Sequence, residues 1–174
     1  MAQHPNSPAT ETTAMIRLIT LLTAILAWGA PSFVTAQTTE NLPIARSFEA
    51  DSKLAAAKKI PILVLYTSPG CQFCDRAKSE YLVPMLKDPA YKNKVIMREV
   101  DITSQTPLTL FNGSKSTGAE FATRHKVAFV PTIKVMDAHD REVAEPIVGL
   151  LIPDYYFGYI DSAITGGIQK MRSK

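Results

Sequence analysis

Apolar residues fall in short blocks separated by Pro-, Gly- and Asp-containing turns, and the blocks alternate between helical and extended character. Ser47 to Lys59 reads SFEADSKLAAAKK. Phe48, Leu54, Ala55 and Ala57 among good helix formers predict a helix. Ile60 to Tyr66 is short and continuously apolar, the pattern of a buried central strand. Thr67-Ser-Pro-Gly70 is a turn. Gln72 to Leu82 has helical character, with Phe73, Ala77 and Tyr81 four apart on one side, and Pro84 is expected to kink or end it. Val95 to Ile102 is a second apolar strand. Thr103 to Ser116 is a longer connection, in which Leu108–Phe111 followed by Asn112-Gly113 suggests a small hairpin.

Thr117-x-x-Glu120 has the form of a capping box and opens a helix through about His125. Val127 to Pro131 leads into a third strand, Thr132 to Met136. Asp137 to Arg141 is a turn. Glu142 to Leu150 is a fourth strand, placed at an edge because Pro146 interrupts it. Pro153 suits the first turn of a last helix with Tyr156, Ile160, Ala163 and Ile164 inward. A parallel βαβ half followed by a hairpin and a closing helix predicts an α/β sandwich around a four-stranded mixed sheet, its core about residues 47–165. No repeats and no low-complexity segment interrupt it.

Ahead of this domain, residues 1–36 read as a leader. Arg17 precedes an apolar run, Leu18 to Trp28, that Pro31 breaks, and Val34-Thr35-Ala36 offers small or compact residues to a signal peptidase. Cleavage is expected after Ala36, leaving Gln37–Lys174 as the exported domain. The run is short of the roughly 20 residues a membrane-spanning helix needs; an uncleaved anchor is the alternative. Met1 to Ala14 is polar and Thr-rich, so Met15 is a candidate start. The expected location is the bacterial periplasm. Trp28, the only tryptophan, would leave with the leader.

Composition narrows the function by exclusion. The chain has 174 residues, 46% hydrophobic and 20% charged, which is globular composition. A net charge of +3 lacks the clustered basic excess of a nucleic-acid binder. Two cysteines exclude a multi-disulfide scaffold. They are Cys71 and Cys74.

This C-x-x-C stands between a turn and a helix. Cys71 near the N-cap meets free backbone N–H groups and the positive end of the helix dipole, which favour a thiolate. Cys74 lies one turn on and deeper, so one sulfur attacks and the other resolves. Half a zinc site is a competing reading, but zinc takes four ligands, no second Cys pair exists, and His125 and His139 are not spaced with the cysteines. A purely structural disulfide is the other, closing a tiny loop to little gain.

An apolar strand, a turn, C-x-x-C, a helix, and a later Val130-Pro131-Thr132 before a strand together resemble the thioredoxin superfamily. The likeness runs from about Ser47 to Ile164. Lys87-Asp-Pro89, Val100-Asp101 and Gly149 look most like the exported SoxW-type thioredoxin-like proteins. The resemblance implies a thioredoxin-like fold, with Cys71 as nucleophile and Cys74 as resolving thiol. It implies that Pro131 is cis and faces the disulfide, leaving the Val130 backbone free to pair with a substrate strand. Gly70, Gln72 and Phe73 complete the expected substrate-binding rim. The buried acid that thioredoxin has six residues before the first Cys is Leu65 here, so proton transfer at Cys74 needs another group; Glu99 and a water are the candidates, and an exposed strand residue is the competing reading of Glu99. No Gly-Gly-Asp turn of the glutaredoxin kind stands at Gly149-Leu150-Leu151, which disfavours glutathione.

The function expected is that of an exported, monomeric protein-disulfide reductase. It would have no cofactor beyond its own disulfide, disulfide-containing proteins as substrates, and a membrane thiol protein as electron donor. Alternatives are an oxidase or isomerase running the same pair backwards, and a non-catalytic thioredoxin-fold module for metal delivery or chaperoning. Lys87, Lys92 and Lys94 read as a solvated basic face, and Tyr155, Tyr156 and Tyr159 as core and rim of the last helix.

Overall fold

The structure is a computed structural model describing residues 41–173. The leader, Met15 and Trp28 lie outside the described residues. The element order is α1 (Phe48–Lys58), β1 (Ile62–Thr67), α2 (Gln72–Arg76), a π-helical segment (Ala77–Leu82), α3 (Val83–Lys87), β2 (Ile96–Asp101), β3 (Pro107–Thr109), β4 (Lys115–Thr117), α4 (Gly118–Arg124), β5 (Thr132–Met136), β6 (Ile147–Val148) and α5 (Pro153–Arg172).

Four strands make a mixed sheet in the order β2-β1-β5-β6. β1 runs parallel to β2, from Ile62 opposite Ile96 to Thr67 opposite Asp101. It runs antiparallel to β5, with Tyr66 opposite Thr132. Every residue of β1 is buried, as its unbroken apolar run requires of a central strand covered on both faces. Alternation of side chains divides the core. Leu63, Leu65, Met97, Ile133 and Val135 pack with Ala77, Leu82, Met85 and, from α5, Tyr156, Ile160 and Ile164. Ile62, Val64 and Tyr66 pack on the opposite face with Phe48 and Ala55 of α1 and Phe121 of α4. On that second face the buried Asp51 carboxylate of α1 meets the Arg98 guanidinium of β2, Nε to Oδ2 at 2.9 Å.

Several expectations change in detail. Pro84 does not end the active helix. The wide turn of the π segment, where the Val83 N–H reaches the Lys78 carbonyl, gives the ring room, and helical structure runs on to Lys87. In α1 the inward residues are Phe48, Asp51, Ser52 and Ala55, while Leu54 is exposed. The fourth strand shrinks from Glu142–Leu150 to Ile147–Val148, because Pro146 cannot donate to a ladder and Gly149 turns at φ +75. Glu142 keeps only a lone bridge to Met136.

The inserted hairpin is present, paired from Pro107–Thr117 to Thr109–Lys115. The capping box at Thr117 and Glu120 forms in both directions. Residues 43–45 run along the free edge of β2, with Glu99 N–H donating to the Pro43 carbonyl at 2.8 Å and Ala45 N–H to the Glu99 carbonyl at 2.9 Å.

Candidate active site

β1 delivers the chain to the disulfide. After Thr67 the turn ends at Gly70, whose φ of +73 is a left-handed conformation that glycine adopts without strain. Cys71 caps α2, its sulfur accepting from the Cys74 N–H at 3.2 Å. Cys71 and Cys74 are joined as a disulfide with Cα atoms 5.2 Å apart. Cys71 is half-buried, and Cys74 is 1% exposed. Gln72 and Phe73 between them face solvent, Phe73 with 58% of its surface open.

The Val130–Pro131 peptide is cis. Because Tyr66 of β1 is opposite Thr132, Pro131 stands beside the end of β1 from which the disulfide loop departs. Its carbonyl accepts from the Gly149 N–H at 2.7 Å. Thr132 Oγ1 donates to the Phe129 carbonyl at 2.7 Å, bracing the bend. The Val130 N–H and C=O have no hydrogen-bond partner among the described residues.

Glu99 sits at the same end of the sheet, on β2. Its Oε1 accepts from Thr67 Oγ1 and from Lys78 Nζ, both at 3.0 Å, and Lys78 also lies 3.5 Å from Asp75. Burial works against the Lys78 ammonium, yet the bonds and charges of Glu99 and Asp75 outweigh it and raise its pKa. These groups line a cleft of about 340 Å³ with Gly70, Arg46 and Asp101. Gly70, Cys71, Gln72, Phe73, Cys74, Glu99, Val130 and Pro131 therefore all gather at one end of the sheet.

Lys78 and Thr67 were not singled out in the sequence. The available signal was Lys78 at four residues past Cys74, but a helical lysine ordinarily marks a solvated face. Of the basic cluster, Lys94 pairs with Asp161 at 2.7 Å.

A thioredoxin-like domain family matches residues 48–164. The chain belongs to that family. Solved structures are similar to this thioredoxin-like protein at low identity. A thioredoxin-fold protein from Helicobacter pylori is 17% identical, with a TM-score of 0.47, over 63% of this chain and 72% of that one. Mitochondrial thioredoxin 3 from Saccharomyces cerevisiae, in oxidised form, is 14% identical with a TM-score of 0.46, over 69% and 94%. The periplasmic thioredoxin SoxS from Paracoccus pantotrophus, in reduced form, is 18% identical with a TM-score of 0.43, over 61% and 97%. No curated protein matches the sequence.

A thioredoxin-like domain with a Cys71–Cys74 disulfide supports thiol–disulfide oxidoreductase chemistry in general. Among the described residues no helix is long and apolar enough to cross a membrane.

Proposed function

We propose that this thioredoxin-like chain is an exported reductase of protein disulfides. The observation that carries the reading is the unequal pair, a part-exposed Cys71 at a helix start bonded to an enclosed Cys74. In the reduced protein the Cys71 thiolate attacks a substrate disulfide, forming a mixed disulfide and expelling one substrate thiolate. Cys74, losing its proton, attacks Cys71, expels the second substrate thiolate and closes the Cys71–Cys74 bond. Two electrons pass to the substrate. Backbone N–H groups at the helix start favour the Cys71 thiolate.

The unpartnered Val130 backbone suits pairing with an extended substrate beside Pro131, and Gly70, Gln72 and Phe73 form the adjoining rim. Glu99 serves as the proton acceptor for Cys74, and the cleft gives it access to solvent. The protein acts as a monomer with no further cofactor. In an oxidising compartment reached through the leader, a membrane thiol protein re-reduces it.

The test is the equilibrium reduction potential of the pair in a glutathione buffer, read by alkylation and mass shift. A value near roughly −230 mV or lower supports the reductase. A value of about −120 to −180 mV reverses the direction to an oxidase or isomerase.

A further inference from the structure

The sheet has two ends, and the disulfide stands at one of them. At the other, β1 begins, with Ile62 opposite Ile96 of β2 and Met136 of β5. The C-terminal ends of α1 and α5 and the loop of residues 88–94 lie there. Lys58 Nζ donates to Asn93 Oδ1 at 3.2 Å, tying α1 to the loop. A cavity of about 440 Å³ separates Lys59 from the last turn of α5 and is bordered by Lys170, Arg172 and Arg141.

Cations at this end outnumber their partners. Lys58, Lys59, Lys92, Lys170 and Arg172 are exposed, and none has an acidic partner among the described residues. The acids nearby are engaged. Arg141 holds Asp137 at 2.7 Å and Lys94 holds Asp161 at 2.7 Å. Asp88 accepts from the Ala90 N–H, and Asp140 lies 3.2 Å from His125. The ends of α1 and α5 bring roughly half a negative charge each, enough to offset about one of the five cations. The whole chain carries only +3, so the excess is local. The chain also enters here. Ile44 bridges Glu99 in parallel, so the strap arrives from the Ile96 end, and the residues before it join the domain on the cationic side.

We propose that this end of the sheet docks on a membrane surface bearing anionic phospholipid and holds the protein with its disulfide turned away from the lipid. The occupant follows from charge and shape. Five point charges stand at the tips of three separate elements, on long flexible stems. They match an array of headgroup phosphates, in which no single phosphate must meet them all. Each such cation near an anionic surface is worth about fivefold in partitioning. The proposal is independent of the direction in which the disulfide works.

The test is cosedimentation of the full chain with vesicles of phosphatidylcholine alone and of phosphatidylcholine mixed with phosphatidylglycerol. The ratio of the two partition coefficients is read, because the apolar run Leu18–Trp28 is common to both and cancels. At about 0.1 M salt the ratio should be at least about a hundredfold, and it should collapse toward one at about 1 M, where screening shortens the reach of a charge to about 3 Å. Lys59→Gln with Lys170→Gln should lower it by about thirtyfold. Arg46→Gln with Lys115→Gln takes the same charge from the cleft by the disulfide and from the inserted hairpin, and should leave the ratio nearly unchanged. In the reduced protein, a polar maleimide should alkylate Cys71 as fast on the anionic vesicles as in solution.

A ratio near one in the parent overturns the proposal. Equal losses in the two double variants reduce the effect to net charge and overturn it too. Protection of Cys71 on the vesicles overturns it by placing the disulfide end against the lipid. Displacement by inorganic phosphate beyond that by sodium chloride of equal ionic strength overturns it in favour of a free anion in the cavity.

Discussion

Glu99 stands directly opposite Leu65 in the parallel register of β1 and β2, so the two side chains share the sheet face that carries the active helix. The carboxylate is thus displaced by one strand from the position six residues before the first cysteine, where Leu65 now fills the core. Lys78 and Thr67 hold it there. Glu99→Gln should slow resolution of the mixed disulfide by about tenfold or more while the first attack by Cys71 proceeds. Acid quenching and alkylation would then show mixed disulfide accumulating. An unchanged resolution rate would leave Glu99 as a structural partner of Lys78 only.

The two cysteines should fail differently. Cys71→Ser removes the nucleophile and should abolish insulin reduction. Cys74→Ser keeps it and should trap substrates as mixed disulfides, visible as bands that dithiothreitol dissolves. Full insulin reduction by Cys71→Ser would sink the mechanism.

Asp51 is buried and depends on Arg98 for its charge partner. Arg98→Met strands a carboxylate in the second core face and should cost about 3 kcal/mol of stability. Adding Asp51→Leu should restore much of the loss, since the pair replaced together leaves no uncompensated charge. Urea titration of the single and double variants measures both.

Adjacent glycines of α5 should respond in opposite directions. A Cβ at Gly167 would sit 2.9 Å from Val143 Cγ2 and 3.3 Å from Val135 Cγ1, whereas at Gly166 it meets nothing within 4 Å. Gly166→Ala should raise stability by up to about 1 kcal/mol through helix propensity. Gly167→Ala should lower it, because the stiff valines must shift. Thermal melts of the two variants decide.

Acid should weaken one tie between the 88–94 loop and α5. The Lys94 hydrogen bond, opposed by partial burial and aided by Tyr91, holds the Asp161 carboxyl below its ordinary value. Tyr91 itself is pushed up to about 12, by burial first and then by its bond to Asp161. A depressed carboxylate pKa adds stability that is complete above the unfolded value and is lost as pH falls through the folded one. Asp161→Asn should therefore melt about 2–4 °C lower at neutral pH, consistent with a partly exposed pair near 1 kcal/mol. The difference from the parent should close as pH falls through the depressed pKa of the folded Asp161 carboxyl.

What the sequence revealed and what it hid follow from the range of the forces involved. β1 is legible because five consecutive buried positions, Ile62 to Tyr66, carry apolar or aromatic residues, and only the polar Thr67 at its end reads as turn. The capping box was legible because its donors and acceptors lie within three residues. The disulfide loop and Pro131 were legible through their motifs. Lys78 was not, because its meaning depends on Glu99, 21 residues away and on another element. The passage through Pro84 depends on a π turn that apolar spacing does not encode. β6 is shorter than the apolar pattern predicts, because Val143 and Leu150 are buried without being strand residues.

The strap of residues 43–45 along β2 bears on the colloidal fate of the chain. A sheet with a naked border is a template for another chain's strand. Here one border is occupied by the protein's own backbone, and the other, β6, is two residues long, hemmed by Pro146 and Gly149. The molecule thus offers strangers very little border to extend. Among the described residues the sheet therefore leaves little open edge through which another strand could add.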